Sequence, residues 1–189
     1  MPQIVGGSCS IRMASFIPGF NNTLDPKAQF YLELASECAS LLEGQRNLVT
    51  NTANISSLVY HSLLETPLRE GKPVNWVGFY LLDAKKANSL ILGPFQGKPA
   101  CTEITIGRGV CGTSALEAKT VVVKDVHEFP GHIACDAASK SEIVVPLTTP
   151  DGKVQGVFDI DASELDAFDD FDRIGLEAIA AMVVEASDF

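Results

Sequence analysis

The chain has 189 residues, a formal net charge of −10, 46% hydrophobic and 20% charged residues. Such a length buries a core without metal or disulfide support, and the proportions are those of one soluble globular domain. The negative balance excludes nucleic acid and anionic membrane as partners, because a phosphate surface requires a basic face. No run nears the roughly 18 apolar residues of a membrane span, and the N-terminus lacks the charged-then-apolar order of a secretory signal.

Residues 1–24 contain Arg12 and no acid. They read as a flexible extension, although that composition also fits an organelle transit peptide. A single domain is expected over 25–189. Asp25-Pro26 reads as a helix cap followed by proline at the first helical position. Phe30, Tyr31, Leu34, Cys38, Leu41 and Leu42 then recur at helical spacing, and Gly44 ends the run. Leu48, Ile55, Val59 and Leu63 mark a second amphipathic helix that stops before Pro67. Cys38 lies on the first apolar stripe and is expected to be a small buried hydrophobe.

From residue 74 the texture becomes that of strands: VNWVGFYLL, SLILGPF, CTEITI, TVVVKD, EIVVPLTT and KVQGVFDID. They are rich in β-branched and aromatic residues and are separated by turn chemistry. Pro150-Asp151-Gly152 predicts an antiparallel hairpin between the last two. A short helix is expected near 112–118, and a closing helix from Asp169 carrying Phe171, Ile174, Ala178 and Met182. The fold class is therefore α+β, a central mostly antiparallel six-stranded sheet flanked by helices.

Gly107-Arg108-Gly109-Val110-Cys111-Gly112 matches the dinucleotide fingerprint G-x-G-x-x-G, with Asp125 after the next strand. The context rejects it. The preceding strand CTEITI alternates polar with apolar, unlike a strand covered on both faces. The helix is too short for a crossover, and a hairpin follows instead of further βαβ units. The glycines are expected to let backbone approach a ligand and to place Cys111 at a helix N-terminus, where the dipole favours a thiolate. GPFQGK, residues 93–98, lacks the spacing of a phosphate loop. A zinc site from Cys101, Cys111, Cys135 and His127 or His132 has no pre-organising pair, so neither cofactor nor metal is expected.

The chain has five cysteines, and Cys101, Cys111 and Cys135 sit in glycine-bearing loop sequence. The odd number and the spacing point to a reducing, cytoplasmic setting, where disulfides are transient and catalytic. Asp159 and Asp161 share one face of a strand that Val157, Phe158 and Ile160 mark as buried. Carboxylates there need a cationic or hydrogen-bonding partner. The neighbouring strand supplies a third acid, Glu142, and no base, so a ligand ammonium would satisfy the nest, and crowding would leave one acid protonated. Trp76 and Tyr80 also share a face, as core bulk or as a pocket wall. Thiols that meet, beside a proton-donating acid, suit reduction of an oxidised small molecule. In that chemistry a thiolate attacks sulfur, and a second thiol captures the sulfenic acid as a disulfide.

In this order, NWVGFYLL, ILGPFQGKPAC, GRGVCGT, GHIACD, SEIVVPL and GVFDID resemble the free methionine-(R)-sulfoxide reductases, enzymes of the GAF fold. The similarity runs from the first helix to the end. It implies a thiol-dependent oxidoreductase that reduces the free R epimer, is recycled by thioredoxin through an intramolecular disulfide, and forms a homodimer. It assigns attack to Cys135, resolution to Cys101, and pairing with Cys135 to Cys111, whereas the helix dipole by itself favours Cys111 as attacker. Glu142, Asp159 and Asp161 correspond to the acids that hold the ammonium and the sulfoxide oxygen, and Trp76 and Tyr80 to the aromatic wall. Backbone amides of the GHIACD loop, at Ile133 and Ala134, would receive the carboxylate, with Gly131 permitting close approach. The alternative is a non-catalytic GAF sensor of a small molecule.

Overall fold

A computed structural model describes residue 17 and residues 25–131 and 137–189. Cys135, Ile133 and Ala134 lie outside the described residues, as does His132. Helix α1 is Pro26–Leu42, with Asp25 accepting from the amides of Lys27 and Ala28, as the cap signal predicts. Helix α2 is Leu48–Glu65, capped by Asn47 and ended one residue before Pro67 at Thr66.

Six strands follow: β1 Val74–Leu82, β2 Ser89–Gly97, β3 Glu103–Thr105, β4 Val121–Val123, β5 Ser141–Thr148 and β6 Val154–Ala162. Their order across the sheet is β3-β2-β1-β6-β5-β4, and every neighbouring pair is antiparallel. The β5–β6 hairpin turns where Pro150-Asp151-Gly152 stands. Helix α3, Gly109–Glu117, starts three residues earlier than its sequence signal. Helix α4 is Asp170–Ala186, opened by a capping box between Asp169 and Asp172. Among the described residues no helix is long and apolar enough to cross a membrane.

Period-two alternation divides the sheet into two faces. Val77 and Phe79 of β1, Ile143, Val145 and Leu147 of β5, and Phe158 and Ile160 of β6 pack beneath α1, α2 and α4. Cys38 is fully buried in that layer, with its thiol pushed up to about 12 by burial and by Glu37, so it serves as a hydrophobe. Two apolar stripes differ from their sequence signals. Leu41 is 43% exposed, because it sits at the rim of the α1 stripe. The buried stripe of α4 is Gly175, Leu176, Ile179 and Val183, with Phe171, Ile174, Ala178 and Met182 at its half-buried flanks. In an apolar-rich helix, packing geometry and not side-chain character chooses the inward line. The opposite sheet face carries Trp76, Tyr80, Val144 and Val157 and is covered by α3, whose Val110, Cys111 and Ala115 point inward.

Candidate active site

Helix α3 spans only 9 residues and leaves part of this second face uncovered, where a cavity opens. Trp76, Tyr80, Cys111, Glu142, Asp159 and Asp161 all line it. Helix α3 delivers Cys111, and three strands deliver the other five by register: Asp161 stands opposite both Trp76 and Glu142, and Asp159 opposite Gly78 and Val144.

Trp76 stacks on Tyr80 at 5.7 Å and on Phe95 at 5.2 Å, making one continuous aromatic wall. The intervening residue on that face is Gly78. A Cβ there would fall 2.6 Å from the Trp76 ring and 2.3 Å from Phe95 Cβ, so only glycine lets the indole lie along the strand. Tyr80 donates its hydroxyl to the Cys101 carbonyl at 3.0 Å and so fixes the β2–β3 loop to the cavity.

Glu142 and Asp159 are each 5% exposed. Burial first, then Asp159 and Asp161, raise the Glu142 carboxyl well above the ordinary range. Burial likewise pushes Asp159 up to about 7, although hydrogen bonds with Cys111 and Glu142 and from the Ile160 amide pull the other way. Burial and mutual crowding thus favour the protonated form within this group. Lys140, adjacent in sequence, pairs with Glu164 at 3.2 Å.

Cys111 departs from the helix-dipole expectation. It does sit in the first turn of α3, but burial, followed by the Asp159 and Glu142 carboxylates, drives its thiol well above the usual range. A helix terminus contributes about 0.3–1 kcal/mol to a thiolate, whereas full burial shifts a group by up to ~3–5 pKa units, or about 4–7 kcal/mol. Desolvation wins, and Cys111 is a neutral thiol. It donates to Glu142 Oε1 at 3.8 Å.

The G-x-G-x-x-G segment folds onto itself. The Gly107 amide donates to the Gly112 carbonyl at 2.8 Å, and a Cβ on Gly112 would meet the Thr105 carbonyl oxygen at 2.4 Å. These glycines let β3 turn tightly into α3; Gly109 is the one that reaches the cavity lining. Of the zinc grouping weighed from sequence, Cys135 and His132 lie outside the described residues. Cys101 is disulfide-bonded, and His127 is exposed on the short 3₁₀ turn Val126–Glu128.

The GAF domain pattern matches residues 60–186. The chain is 44% identical over 163 residues to the free methionine-R-sulfoxide reductase of Saccharomyces cerevisiae, covering 86% of this chain and 88% of that protein. The Escherichia coli protein of the same name is 43% identical over 157 residues, covering 83% and 88%. The free methionine-R-sulfoxide reductase of Neisseria meningitidis, solved with its substrate, superposes with a TM-score of 0.74 at 39% identity, covering 82% and 87%. This chain belongs to the free methionine-R-sulfoxide reductase family of GAF-domain proteins.

For a member of that family, the cavity gathers six of the ten site positions read from sequence, and Cys101 is anchored beside it through Tyr80. Sequence reading overlooked Gly78 and Phe95, which shape the wall, and Arg108 and Ser139, which complete the rim. The Trp-x-Gly-x-Tyr spacing carried a usable signal for Gly78, since a glycine between two aromatics on one strand face marks a close approach. Nothing in the local sequence flagged Phe95, Arg108 or Ser139.

Proposed function

We propose that this chain reduces free L-methionine-(R)-sulfoxide to L-methionine with thiols as the electron source. The observation that carries the reading is a pocket in which three carboxyl groups and a stacked aromatic wall converge. The acids suit an ammonium group, the aromatic wall suits a methylthio end, and the protonated Glu142 suits a sulfoxide oxygen. The names of the relatives agree with this substrate.

In the proposed sequence a Cys135 thiolate attacks the sulfoxide sulfur while Glu142, assisted by Asp161, gives a proton to its oxygen. The oxygen passes to cysteine, leaving methionine and a cysteine sulfenic acid. Cys101 then attacks that sulfur, water departs, and a disulfide forms. A thioredoxin dithiol reduces the disulfide and ends as a disulfide itself, so one sulfoxide and one dithiol yield methionine, water and oxidised thioredoxin. The disulfide at Cys101, and its tether to the wall through Tyr80, support a resolving role for this residue. Carboxylate recognition by the Ile133 and Ala134 amides, a cytoplasmic setting and a homodimer are part of the same proposal.

The test is NADPH consumption with thioredoxin and thioredoxin reductase, comparing the free R epimer, the S epimer and hydrogen peroxide. Turnover confined to the R epimer is expected. Binding without turnover would make the chain a sensor. Cys135→Ser should abolish even a single turnover, whereas Cys101→Ser should retain one turnover and lose cycling. If Cys101→Ser loses the first turnover, the two roles are reversed.

A further inference from the structure

One grouping in the cavity, which includes acids assigned to the substrate, has a second chemistry open to it. Cys111, Glu142 and Asp159 each present one donor atom, all within 4.8 Å of one another and all buried. Asp159, only 5% exposed, lines the cavity and keeps Oδ1 without a hydrogen-bond partner. A buried, unsatisfied carboxylate oxygen normally costs about 1–3 kcal/mol or more, so it marks a position shaped for something that is not protein.

Sulfur at about 2.3 Å and carboxylate oxygens at about 2.0–2.2 Å around a tetrahedral zinc ion stand roughly 3.5 Å apart. The 3.8 Å between Cys111 Sγ and Glu142 Oε1 is close to that spacing. Three protein donors with the fourth position facing an open cavity is the arrangement of an accessible zinc site, not of a closed structural one. The thiol selects against Mg²⁺ and Ca²⁺, which prefer oxygen alone, and favours a thiophilic divalent ion.

We propose that Cys111, Glu142 and Asp159 form a binding site for a divalent thiophilic cation of the Zn²⁺ class on the floor of the cavity. Coordination would displace the Cys111 thiol proton and the proton held by the carboxyls to solvent, forming Zn–S and Zn–O bonds with no change of oxidation state. Among the described residues, Tyr80 from β1, Asp161 from β6 and Arg108 at the start of α3 are the other titratable groups facing this cluster. The site is argued from geometry alone, although it shares Glu142 and Asp159 with the reductase reading. Its consequence, that the ion and the substrate ammonium compete for the same acids, rests on that reading.

Trp76 is the single tryptophan of the chain and lines the same cavity, so its fluorescence reports the site. Chelator-treated protein with the Cys101 disulfide intact is titrated with Zn²⁺ by fluorescence and calorimetry. One ion per chain is expected, with net proton release read from buffers of different ionisation heat. Cys111→Ser and Glu142→Gln should each weaken binding at least tenfold, while Cys38→Ser leaves it unchanged. Asp159→Asn serves as the third variant, with circular dichroism confirming the fold of each. Zn²⁺ binding of equal strength in wild type, Cys111→Ser and Glu142→Gln overturns the site. L-methionine titrated into metal-free and Zn²⁺-loaded protein then reads the competition, and at least tenfold weaker binding to the loaded form is expected. Equal methionine affinity for both forms overturns the shared acids. Methionine binding to neither form overturns the substrate reading and leaves the metal site standing.

Discussion

At the scale of single residues, chemistry is set by burial more than by residue type. Cys111 occupies a helix first turn, yet its thiol is held neutral because burial and two carboxyls outweigh the dipole. Iodoacetamide should therefore alkylate Cys111 at neutral pH at least about tenfold more slowly than an unshielded cysteine, followed by peptide mass spectrometry. Equal rates would restore the dipole reading. Gly78 acts through what it lacks. Gly78→Ala should push the Trp76 indole off the strand face, raising KM for the sulfoxide about tenfold, a loss of about 1.4 kcal/mol, with a smaller effect on kcat. An unchanged KM would mean that the indole does not touch the substrate.

At the scale of elements, one buried carboxylate joins three segments on the other face of the sheet. Asp172 of α4 accepts from Tyr31 of α1 at 2.8 Å, from Arg69 at 3.0 Å and from Lys27 at 2.6 Å. Arg69 lies on the 3₁₀ turn Pro67–Arg69 and also stacks over Phe168 at 4.8 Å from its centroid. Burial and Asp172 raise the Tyr31 phenol well above its ordinary range, keeping it a donor. Asp172→Ala would leave Arg69 buried and uncompensated, so a loss of about 3–5 kcal/mol is expected by denaturant titration. Asp172→Asn retains acceptors and should lose less. A loss below about 1 kcal/mol for the alanine variant would show that water re-solvates Arg69. Elements of this kind were legible because their signals are local: Asp25-Pro26, the Asp169 cap and Pro150-Asp151-Gly152 each specify their own backbone.

At the scale of the whole molecule, the acid nest makes stability depend on pH. Glu142 and Asp159 have folded pKa values raised above their unfolded ones. Between the two values the unfolded chain holds fewer protons, so stability falls as pH rises from the unfolded carboxyl range near 4 to about 7 for Asp159, and further for Glu142. Glu142→Gln mimics the protonated acid. It should stabilise the metal-free, substrate-free protein by about 1–3 kcal/mol at pH 8, and change it little near pH 4. Scanning calorimetry would register about 2–4 °C per kcal/mol for a chain of this size. Activity should fall in the same variant by about 10²-fold, the usual scale for a positioned acid. A variant less stable than wild type at pH 8 would mean that the carboxyl is not raised.

Taken alone, the sequence determined the succession of helices and strands and which strand positions share a face, because caps, turns and period-two alternation act over a few residues. Trp76 with Tyr80, and Asp159 with Asp161, were thus paired before any coordinates. Only the tertiary structure decided that Glu142 of β5, Asp159 of β6 and Cys111 of α3 meet within a few ångströms, since strand order and the seat of α3 depend on contacts between distant segments. The same holds for ionisation. A carboxyl or a thiol takes its proton affinity from what removes water from it, and desolvation is a property of the assembled cavity.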